Sequence, residues 1–139
     1  DKTFRSLTYN WFENSSILKI IKLAAENGFK LAITTDHGMV YDKKPSQVVG
    51  DRETSTNIRY KTGKSLTYDE KDVWAITNPE KLFLPKGNLS SKYIFAKNNI
   101  FLAYPKNYNH FVNYYKDTYQ HGGISLEEVI IPISILEPK

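Results

Sequence analysis

Residues 15–38 read "SSILKIIKLAAENGFKLAITTDHG", and this stretch decides how the chain is built. Ile17, Leu18, Ile21, Ala24 and Ala25 recur at helical spacing, with Asn14, Ser15 and Ser16 as candidate N-caps and Gly28 as a stop. The spacing predicts a helix over residues 15–27. Phe29 to Thr35 then alternates and is mostly apolar, the pattern of a strand inside an α/β sheet. A helix feeding a buried strand is half of a βαβ unit. The fold class is therefore α/β, with a mixed sheet flanked by helices.

Downstream, residues 42–57 carry Pro45, Gly50 and a serine/threonine cluster, and they read as a polar surface excursion. Asn57 to Lys61 and Asp72 to Thr77 look like short strands, with "KTGKS" in the loop between them. Tyr93 to Ala96 and Ile100 to Tyr104, joined by Lys97-Asn98-Asn99, give a hairpin signal. Residues 107–119 read as a helix in spite of low propensity. Ser125 and Glu128 stand three apart as in a capping box and predict a single helical turn. The last apolar strand runs from Val129 to Leu136, where Pro132 argues for an edge or a bulge.

The 139 residues suffice for one domain with a core, since a chain of this size buries roughly two-thirds of its unfolded surface. No apolar run approaches the ~18 residues that a bilayer span needs, and no signal-peptide pattern opens the chain, so a cytoplasmic protein is expected. The first residue is Asp1, which suggests an excerpt of a longer chain. With no cysteine, any metal must be held by nitrogen and oxygen, which leaves three histidines and the carboxylates. The net charge of +4 is spread along the chain and suits a phosphate-bearing ligand without requiring one. Ten tyrosines and seven phenylalanines keep a nucleic-acid reading open.

Asp36-His37-Gly38 stands where the predicted strand runs out, the place where ligands gather in open α/β sheets. Adjacent strand side chains face opposite ways, so this pair converges on one ion only where the backbone has left the extended form, and Gly38 permits that turn. Aspartate oxygen and imidazole nitrogen suit zinc and tolerate manganese. Taken alone, the dipeptide reads more readily as a polar strand end. The second motif is "YQHGGISLEE" at 119–128, where two glycines after His121 let the backbone pass close to a ligand. Its plain alternative is a glycine-rich loop with an exposed histidine.

Taken together, "ITTDHG", "VVGDRETSTNIRYKTGKS" and "IFAKNNIFLAYPKNYNHFVNYYKDTYQHGGISLEEVIIPISIL" resemble the C-terminal part of a PglZ domain, a branch of the alkaline phosphatase superfamily. The resemblance is strongest to the effector domain of PorX-type response regulators, which act with type IX secretion. It covers nearly the whole chain. It implies that Asp36 and His37 ligate one of two divalent metals, most naturally zinc and alternatively manganese, and that His121 ligates its neighbour. The implied reaction is hydrolysis of a phosphoester or phosphodiester, because two ions roughly 3.5–4 Å apart clamp both oxygens of an in-line displacement. The nucleophile, an early metal-binding aspartate and an Asp-x-x-x-His pair of that superfamily lie upstream of the matched region. The excerpt would then hold three ligands, bind metal weakly and not turn over. Implied partners are a nucleotide-type or other phosphodiester substrate and, through the parent protein, a sensor kinase and a sigma factor; a dimer is allowed.

Arg52, Arg59 and Lys61, with Lys64 nearby, are candidates to hold substrate phosphate, since arginine forks onto phosphate oxygens; the alternative is a solvated hairpin of alternating charge. His110 reads as a helix-surface or packing residue, Thr34 and Thr35 as strand residues, Glu128 as a cap and Glu127 as a weaker ligand candidate. The competing function is a non-catalytic regulatory module whose basic insertion and aromatics hold a nucleotide, nucleic acid or protein. The two readings part over whether Asp36, His37 and His121 converge.

Overall fold

The computed structural model describes residues 2–87 and 90–138. They form two compact units: residues 1–35 with 132–139, and residues 36–131.

The first unit contains α1 (Lys2–Glu13), α2 (Ser16–Glu26), β1 (Leu31–Thr34) and β9 (Ile133–Leu136). Helix α2 ends where the spacing predicts. The Ser15 hydroxyl accepts from the Leu18 amide at 3.4 Å, and Gly28 follows at φ 75°. Helix α1 has no counterpart in the sequence reading, because Thr, Tyr, Asn and Trp along "KTFRSLTYNWFE" are indifferent helix formers. β1 pairs antiparallel with β9, Leu31 opposite Leu136 and Thr34 opposite Ile133. Thr34 Oγ1 adds a bond to the Pro132 carbonyl at 2.8 Å, as a strand residue would. The expectation of a buried β1 is not met. A two-strand ribbon bares both faces, and among the described residues of this unit none is buried.

The second unit is a set of small sheets. β2 (Val40–Asp42) pairs antiparallel with β8 (Thr118–Gln120), and β3 (Lys44–Gln47) pairs parallel with β7 (Ile100–Ala103). β6 (Lys92–Ala96) lies between β4 (Tyr60–Gly63) and β5 (Val73–Ile76), antiparallel to both. α3 (Tyr108–Tyr115) follows β7, and the one-turn α4 (Leu126–Val129) follows β8. The core is Val48, Val73, Ile94, Ala96, Ile100 and Leu102.

Three expectations change here. Residues 42–48 are not a surface excursion: "KPSQ" runs as β3 beside β7, and Asp42, Ser46 and Val48 are buried. Its polar composition hides a strand whose buried position is a serine, with buried Val48 just past its end. The hairpin over 93–104 is also not formed. The turn is real, with the Ile100 amide on the Lys97 carbonyl at 3.1 Å and Asn98 at φ 46°, but β6 and β7 then part to pair with different strands. Residues 107–119 split into α3 and β8, divided at Asp117, whose φ is 62°. The result is a mixed α/β fold with four α-helices among the described residues.

Candidate functional site

His37 and His121 come from loops far apart in the chain and lie face to face, ring centroids 3.8 Å apart and planes within 13°. Asp36 is beside His37: its Oδ1 accepts from the His37 amide at 3.1 Å and stands 3.7 Å from His37 Nε2. The Asp36 carboxylate and His121 are exposed, and His37 is half-buried. His37 Nδ1 lies 2.7 Å from the Gly38 carbonyl. A carbonyl only accepts, so Nδ1 donates in this contact, which makes Nε2 the ring atom that would meet a metal.

Glu128 holds the two loops in place. Its Oε1 accepts from the Gly123 amide at 2.9 Å and its Oε2 from the Ser125 amide at 3.1 Å, which pins the loop after His121. Its backbone carbonyl accepts from the Gly38 amide at 2.9 Å, which pins the turn after His37. Both approaches need glycine. A Cβ on Gly38 would run into the Glu127 carbonyl, and one on Gly123 into the Glu128 carboxylate. The cap expected at Ser125 is therefore also the junction of both motifs.

Arg59 supports Glu128 from behind. Its Nε and Nη2 fork onto the two Glu128 oxygens at 2.9 and 3.0 Å, and its Nη1 reaches Asp42 Oδ1 at 3.1 Å. The Asn98 and Ile100 carbonyls take further N–H groups. All three charged side chains are buried. Burial drives the Asp42 carboxyl up to about 7, helped by the Glu128 charge and opposed by Arg59. Burial pushes Glu128 the same way, but hydrogen bonds from Arg59 and from the Gly123 amide outweigh it and hold that carboxyl below its ordinary range.

The expected phosphate-binding residues are not gathered here. Arg59 is buried with its N–H groups committed to carboxylates and carbonyls, so neither the phosphate fork nor the solvated hairpin describes it. Lys61 is buried as well, and Arg52 is exposed at a separate surface depression with Lys106. The cleft at His121, about 390 Å³, is lined instead by neutral residues such as Asn57, Tyr60, Tyr115 and Gln120. His110 is exposed on α3, with its ring beside Phe111 and Tyr114 of the same helix. Glu127 lines a different depression, with Trp74 and Lys97.

Residues 2–135 match the family model of the BREX system PglZ alkaline phosphatase-like domain. The chain belongs to this family. No curated protein matches it. Membership in the PglZ family points to a phosphoesterase-type function, and in this PglZ domain the DHG and HGG motifs are the two loops that meet at the stacked histidines. Asp42, Arg59 and Glu128 are the residues that motif reading missed in that role. Burial alternates beside Arg59, residues 59, 61 and 63 being buried and 60 and 62 less so, but the sequence alone does not say which side of that strand faces inward. Among the described residues no three of His, Asp and Glu gather tightly enough to hold one metal ion unaided. No described helix is long and apolar enough to cross a membrane.

Proposed function

We propose that this PglZ domain contributes to a metal-dependent phosphoric ester hydrolase, with Asp36 and His37 on one divalent ion and His121 on its neighbour. The meeting of His37 and His121 at 3.8 Å carries the reading. The donor set fits the group: one carboxylate oxygen and two imidazoles, with the His37 Nδ1 proton already given to a carbonyl, suit zinc first and manganese second. The three donors are a partial shell, so the reading requires further ligands and the nucleophile from a longer parent chain. When bound, such ions polarise a phosphoryl oxygen and neutralise the charge that develops on it.

The residues of this chain have narrower tasks. Gly38 orients the His37 ring through its carbonyl, and Glu128 keeps the two histidine loops together. The neutral, partly aromatic cleft at His121 receives the ester. The response-regulator setting, with a sensor kinase and a sigma factor as partners of the parent and a phosphodiester or nucleotide-type substrate, belongs to the same proposal. The binding-module reading is less favoured, because two of the four basic residues in the insertion it draws on, Arg59 and Lys61, are buried.

The test is made on the full-length parent protein. His37→Ala and His121→Ala should each lower bound zinc and reduce hydrolysis of a bis-aryl phosphate diester by about 100-fold or more. Full metal content and activity in both variants would sink the reading.

A further inference from the structure

Lys61, on β4, is 1% exposed. A buried ammonium is costly unless an opposite charge meets it. Among the described residues no carboxylate pairs with it. Its Nζ donates to the Thr56 carbonyl at 3.2 Å and lies 4.1 Å over the Tyr104 ring. A dipole and a ring quadrupole ease the charge without cancelling it.

Both partners, Thr56 and Tyr104, are walls of a cavity of about 210 Å³. The other walls are apolar or aromatic, chiefly Ile58, Leu102, Phe111 and Tyr115. Apolar cavities of ~150 Å³ accept a benzene ring. The molecule thus offers a space for a flat apolar body with an uncompensated cation in its wall. We propose that this cavity is a binding site for a small aromatic carboxylate, whose anion pairs with Lys61 and whose ring packs among Ile58, Phe111 and Tyr115. Thr56, Ile58 and Tyr115 also line the cleft at His121, so the ligand would sit next door to it. The proposal does not depend on the phosphoester reading, since neither histidine takes part.

Its pH dependence follows. Burial lowers Lys61 to about 8. Only the ammonium attracts an anion, so affinity for the ionised carboxylate falls as pH rises through that value. The other titratable walls are Tyr104, whose hydroxyl burial pushes above its usual range, and Tyr115; among the described residues no second charged side chain lines the cavity.

The probe is benzoate, titrated into the full-length protein by calorimetry, with benzamide as the uncharged isostere. Benzoate should saturate one site, bind at least about tenfold more tightly than benzamide, and weaken by about tenfold between pH 7 and pH 9. Lys61→Met should abolish the benzoate preference and raise the thermal midpoint by ~3 °C, because it removes a buried charge that the fold leaves unpaired. Three results overturn the proposal: equal affinity for benzoate and benzamide in the wild type, benzoate bound undiminished by Lys61→Met, or a Lys61→Met variant of lower thermal midpoint, which would make the ammonium a structural group.

Discussion

Two buried cations two residues apart, Arg59 and Lys61, sit in opposite electrostatic surroundings. Around Arg59 the chain supplies more negative charge than it needs: two carboxylates face one guanidinium, and among the described residues Asp42 Oδ2 has no hydrogen-bond partner. Around Lys61 it supplies no carboxylate among the described residues, only a carbonyl, an aromatic face and an apolar cavity. Arginine's planar fork can satisfy several acceptors at once, whereas the lysine ammonium is a compact point charge on a flexible stem. The first region is a clamp that holds loops. The second is a charged wall facing a space.

The contrast breaks most visibly at Arg59. Arg59→Met leaves Asp42 and Glu128 buried without a counter-charge, and should cost about 3–5 kcal/mol in urea unfolding. It should also weaken the through-space contact between the His37 and His121 rings measured by proton NMR, since Glu128 loses the fork that steadies it. A variant as stable as the wild type with the rings still stacked would show that the clamp is idle.

A smaller effect sharpens the same comparison through pH. Asp42 has a folded pKa raised from 3.8 to about 7, so the folded state holds a proton there that the unfolded chain releases. Stability from this group is greatest in acid and declines as pH rises from about 4 through 7. Glu128 works the other way. Its lowered pKa gives stability that is present above 4.5 and disappears only as pH falls through its folded value. Between pH 4.5 and 7 the downward slope is therefore Asp42's, and Asp42→Asn should flatten it in a series of denaturant melts. An unchanged slope would remove Asp42 from the account.

The smallest effect marks the outer limit of the comparison. Lys64 pairs with Glu53 at 2.8 Å, but both side chains are largely in water. Lys64→Ala should leave the thermal midpoint within experimental scatter, because exposed pairs are screened and cost side-chain freedom. A drop like that of Arg59→Met would mean that exposure is not what separates these cations.

Much of the site was legible as motif and little of it as support. The DHG and HGG turns could be picked out because glycine beside a histidine is a local feature, and the Ser125–Glu128 spacing announced a cap in the right place. That the Glu128 carboxylate would receive Arg59 from 69 residues away was not written in that spacing. Arg59 and Lys61 were misjudged for one reason: a charged side chain is assigned to solvent unless its partner, or its cavity, is known. β3 was missed for the converse reason, since "KPSQ" has no apolar pattern and becomes a strand only by lying beside β7.

The sequence by itself determined the helix at 16–26, the strand segments at 31–34 and 73–76, and the capped turn at 126–129. Those features depend on neighbours two to four residues apart, and such neighbours are visible in one dimension. Only the tertiary structure decided that β6 and β7 would part company, that the two histidines would meet, and that one buried cation would be paired and the other not. Each of those outcomes depends on which groups share the same low-dielectric space, and that is set by chain closure over dozens of residues.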